Sequence, residues 1–69
     1  MLDKNKLRAE WVKKGLTQTQ VARVIGVSAK TFSLKLNKGV FGSDEIESMI
    51  NALDISDPMN IFFAKQVTL

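Results

Sequence analysis

Cysteine and histidine are both missing from the 69 residues, so the chain has no disulfide and no thiolate metal site. The commonest acid–base group and metal ligand is gone as well. The hydroxyls of Ser28, Thr31, Ser33 and Ser43 therefore have no imidazole to activate them, and each has a capping or surface explanation. The glycines read as helix punctuation, with no phosphate-binding loop among them. The expectation is a non-enzyme with no cofactor and no metal. No apolar run approaches the roughly 18 residues of a membrane span. The terminus MLDKNKLRAEW is charged and lacks the apolar stretch of a signal peptide, which leads to a cytoplasmic expectation. Sixty-nine residues allow one domain, 1–69, whose small core must use every apolar helix face.

Charge is present, and unevenly placed. Residues 1–39 carry Lys4, Lys6, Arg8, Lys13, Lys14, Arg23, Lys30, Lys35 and Lys38 against Asp3 and Glu10, a balance of +7. Residues 40–69 carry Lys65 against Asp44, Glu45, Glu47, Asp54 and Asp57, a balance of −4. Such polarity fits a basic side that meets a polyanion and an acidic side that faces away. Any single lysine is more simply a solvated surface group. It is the coincidence of the basic half with the motif below that favours the polyanion.

That motif is TQTQVARVIGVSAKTFSLKLNKG, residues 17–39. Thr17 with Gln20 makes a capping box. Val21, Ala22 and Ile25 then mark one buried side of a short helix. Gly26 offers the positive φ of a tight turn, Val27 is an apolar plug, and Ser28 caps a second helix. Ala22 is small enough to let the two helices approach closely. Phe32 and Leu36 face the core, and Asn37, Lys38 and Gly39 end the helix. With Phe32 at zero on a helical wheel, Ala29 and Lys35 flank the core side while Lys30, Leu34 and Asn37 point away.

The rest reads as helices too. Leu7 and Trp11 lie four apart on a first helix that Gly15 ends, and Leu16 sits where it can staple to Val21. Val40 and Phe41 are expected to cover the core. Ser43 is read as the cap of a helix bearing Ile46, Met49, Ile50 and Leu53, with Asp44 and Glu45 complementing its dipole. Asp57 and Pro58 read as cap and first residue of a fifth helix. The spacings predict helices over 4–14, 17–25, 28–38, 43–53 and 58–63. The closing AKQVTL alternates weakly, as an edge strand does. Met59, Phe63, Val67 and Leu69 are expected to serve self-association or a partner, with Ile61 and Phe62 closing the core.

LTQTQVARVIGVSAKTFSLKLNKG, with a basic helix before it and SDEIESMINALDI after it, resembles the Cro/C1-type helix-turn-helix DNA-binding family. Within it, the chain is most similar to small phage-encoded Cro-like regulators. The resemblance covers roughly the first 55 residues. It implies an all-α, five-helix, lambda-repressor-like domain that binds operator DNA, usually as a dimer, as a repressor in a bacterial host cell. It also implies that Ala29, Lys30, Ser33 and Leu34 read bases in the major groove. Thr17, Gln18 and Ser28 correspond to phosphate contacts near helix N-termini. Lys35, Asn37 and Lys38 are expected to reach the DNA backbone as well. Ala29 and Leu34 depart from the polar readers common in such proteins, so no operator sequence carries over. A second expectation keeps the fold but makes another regulatory protein the main partner, engaged through Leu34 and the apolar tail.

Overall fold

Asp3 begins the first helix by accepting the Lys6 N–H, and similar local signals divide the rest of the chain. The computed structural model describes residues 2–63, so the expected terminal strand, Val67 and Leu69 lie outside the described residues. Five helices follow in order: α1 (Lys4–Lys13), α2 (Gln18–Val24), α3 (Ala29–Lys38), α4 (Ser43–Leu53) and α5 (Pro58–Phe62). The described residues contain no strand. The architecture is a small all-helical bundle, with α2 packed on α1, α3 and α4, and α1 also packed on α5.

The first four helices end in one way. Gly15, Gly26, Gly39 and Asp54 adopt left-handed φ values of 72°, 81°, 72° and 51°. The next residue's N–H then reaches back five positions: Leu16 to the Trp11 carbonyl, Val27 to Ala22, Val40 to Lys35 and Ile55 to Ile50. This is the Schellman arrangement, which normally also brings those two side chains into apolar contact. Three of the four pairs are apolar. The fourth is Lys35 with Val40, which explains a correction: Val40, expected over the core, is 66% exposed because its partner across the turn is a lysine.

Two caps also differ from expectation. Gly42, not Ser43, occupies the cap of α4, and its N–H is bound by Glu45 Oε1 at 2.7 Å. The carboxylate satisfies the N–H of the cap residue, and no side chain caps the first-turn N–H groups. Asp57 precedes α5 as expected but makes no side-chain capping bond, so Pro58 alone marks that start.

The core gathers Leu7, Trp11, Val21, Ala22, Phe32, Leu36, Met49, Leu53, Ile61 and Phe62, joined by Leu2 and Ile55. Leu16, Phe41 and Ile46 pack against it. Ile61 and Phe62 thus close the core as expected, while Met59 and Phe63 stay exposed. The two ends of the described chain meet: Leu2 is buried, and the Asp3 N–H donates to the Ile61 carbonyl at 2.7 Å.

Candidate nucleic-acid interface

Thr17 sets the start of α2. Its Oγ1 accepts the Gln20 N–H at 3.2 Å, and its own N–H donates to Gln20 Oε1 at 2.8 Å. Both halves of the capping box are therefore made. Gln18, the first helical residue, is half-buried. Four residues, 25–28, then join α2 to α3. Ser28 Oγ accepts the Thr31 N–H at 3.1 Å and donates its proton to Thr31 Oγ1 at 2.9 Å. The Ser28 and Thr31 hydroxyls thus form one hydrogen-bonded pair at the start of α3.

Opposite faces of α3 have opposite characters. Inward, Phe32 is fully buried, and its ring meets Trp11 edge-on at 5.8 Å and 66° and Phe41 at 5.4 Å and 49°. Leu36 is buried one turn on. Outward, Ala29, Lys30, Asn37 and Lys38 are exposed, and Leu34 is 53% exposed. Ser33 is half-buried at the border. The face holds one cation near its start, an apolar side chain a turn later, then an amide and a second cation. Six further basic residues of the first half (Lys4, Lys6, Arg8, Lys13, Lys14 and Arg23) are exposed as well, with Lys13 paired to Glu10 at 2.7 Å.

Lys35 stands apart. Its Nζ lies 2.8 and 2.6 Å from the two carboxylate oxygens of Glu45, on α4. Lys35, expected to reach phosphate, is paired here with a carboxylate of the neighbouring helix. The helical wheel held the signal, since Lys35 flanks the core side of α3 and not its outward face. The partner, ten residues on, could not be chosen from Asp44, Glu45 and Glu47 by local spacing.

Hydrogen bonds from Lys35 and then from the Gly42 N–H hold the Glu45 carboxyl below its ordinary pKa, against a smaller opposing effect of burial. A lowered folded-state pKa means the contact stabilises fully above the unfolded value of about 4.3 and is lost as pH falls through the lowered one. The stability difference between the parent and Glu45→Gln should therefore stay constant above about pH 5 and shrink below about pH 4. Urea midpoints across that range test this, and a constant difference down to pH 3 would contradict it.

Comparison of the chain with protein-family models, with curated proteins and with solved structures finds no match. Among the described residues, no helix is long and apolar enough to cross a membrane.

Proposed function

We propose that this chain is a sequence-specific DNA-binding regulator that lays α3 in the major groove, in the manner of the Cro/C1-type proteins it resembles. The observation that carries this reading is the two-faced α3: anchored by Phe32 and Leu36 beneath, presenting Ala29, Lys30, Leu34, Asn37 and Lys38 above. An α-helix fits the B-DNA major groove, where a lysine can donate to guanine and an alkyl group can meet a thymine methyl. The Thr17 and Thr31 hydroxyls, with Lys38 and Asn37, supply donors for phosphates. Ser28, exposed at the start of α3, belongs to the same set.

A single domain of this size offers few base contacts, so two copies on an inverted repeat are the expected operating form. Met59 and Phe63, both exposed, are the described candidates for the contact between them. Selection of duplexes from a random pool should enrich an inverted repeat with half-sites about 34 Å apart. With Lys35 committed elsewhere, about 2–4 phosphates per copy should be neutralised, a log–log salt slope of roughly −2 to −3.5.

A second reading is favoured by a cleft of about 230 Å³ lined by Leu2, Val40, Phe41, Ile46, Phe62 and Phe63. Apolar lining of this kind suits a protein partner, and the chain would then act by binding another regulator. No enriched duplex and a flat salt response would decide for it.

A further inference from the structure

We propose that Glu45 sets DNA specificity by holding Lys35 away from phosphate, an inference that rests on the DNA-binding reading above. Lys35 is the only lysine of α3 engaged in an ion pair among the described residues. The pair is preorganised from the Glu45 side. Glu45 Oε1 accepts the Gly42 N–H at 2.7 Å, which orients the carboxylate in the first turn of α4. The positive end of that helix favours the same charge. Side-chain exposure is 15% for Glu45 and 36% for Lys35, so the carboxylate is the sheltered partner and the lysine comes to it.

The Lys35 carbonyl accepts the N–H groups of both Gly39 and Val40, at 2.8 and 3.1 Å, which fixes the backbone from which the side chain reaches Glu45. To reach a phosphate, Lys35 would have to give up two contacts with a carboxylate. It would also leave that carboxylate charged beside the polyanion.

The consequence concerns the ratio of specific to general binding. Each lysine brought to phosphate strengthens binding to every sequence alike, because phosphate contacts carry no sequence information. With Lys35 withheld, attraction to arbitrary duplexes is lower, and discrimination depends on the Lys30–Leu34 face. Glu45 is thus a positioning residue that tunes the interface without touching DNA.

The test compares the full chain with Glu45→Gln, Lys35→Gln and the double variant. Anisotropy titrations use a random-sequence duplex between 50 and 200 mM salt. Glutamine retains an oxygen for the Gly42 N–H but not the charge. Glu45→Gln should bind more tightly and steepen the log–log slope by about 0.9, so the ratio of affinities at the two salts grows about 3.5-fold. Lys35→Gln alone should leave the slope unchanged, and the double variant should return to the parental slope. A purely structural role for the pair would not move the slope in this pattern. A slope shallower by about 0.9 in Lys35→Gln alone would overturn the inference, since Lys35 would then already be on phosphate. So would a parental slope in Glu45→Gln. Failure of the parent to bind any duplex would instead remove the DNA reading, and this inference with it.

Discussion

Phe32→Ala should leave the chain largely unfolded at 25 °C. Phe32 has no solvent exposure and touches aromatic rings on both sides, Trp11 on α1 and Phe41 after α3. Removing a buried phenylalanine costs about 3–5 kcal/mol, through lost burial and the cavity that remains. The edge-on and tilted ring contacts add about 0.5–1.5 kcal/mol each. A domain of this length has a total stability of roughly 3–10 kcal/mol, so the loss takes most or all of it. Trp11, the one tryptophan, is buried against the ring and reports unfolding by fluorescence. Urea titration should show a collapsed or missing native baseline. Phe41→Ala, at a half-buried position, should be milder. A loss under about 1.5 kcal/mol for Phe32→Ala would mean that the core closes around the gap, contrary to this account.

On the opposite face of the same helix, Lys30→Ala should weaken operator binding by about 1–3 kcal/mol, a factor of about 5 to 150, and relax preference at one base pair. Lys30 is exposed in the first turn of α3, and Leu34 stands one turn beyond it on the same side. In the major groove a leucine has one partner, the thymine methyl. Leu34→Ala should therefore lower affinity only for sites with thymine at the facing position, and uracil in place of that thymine should reproduce the loss. An exposed leucine with no role is common, so the uracil substitution is the decisive arm. If Leu34→Ala spares DNA binding and abolishes binding to another protein, the partner reading takes over this face.

What could be read from the sequence was what lies within one turn of itself. The bonds from Asp3, Thr17 and Ser28 to residues three positions on are local, and so are the glycines that close α1, α2 and α3. Leu7 with Trp11, and Phe32 with Leu36, announced their inward faces by spacing alone. Two of the misreadings meet at one lysine. The Gly42 N–H is bound by Glu45, three residues on, and Glu45 is in turn held by Lys35 on another helix. Val40 lost its place over the core because the residue across its turn is that same lysine. Burial of Leu2 and of Glu10 likewise depends on helices far away in the chain. For the interface, spacing separated the inward Phe32 and Leu36 from the outward Lys30, Leu34 and Asn37, but set both Ala29, which is exposed, and Lys35 on the core flank. The wheel angle alone does not decide whether a border cation faces DNA or a carboxylate.

The bond between the Asp3 N–H and the Ile61 carbonyl has a consequence for manufacture. Ribosomes build chains from the amino end, so α2 and α3 are complete long before residue 61 exists. Until then α1 has α2 to pack against but not α5, and Leu2 has no Ile61 or Phe62 nearby to help exclude water. Helix α3 is therefore made early, and the bond that ties Asp3 to α5 forms late. Fragments that stop before residue 61 would carry the basic residues of the first half without the Asp3–Ile61 bond and without the buried Ile61 and Phe62 side chains.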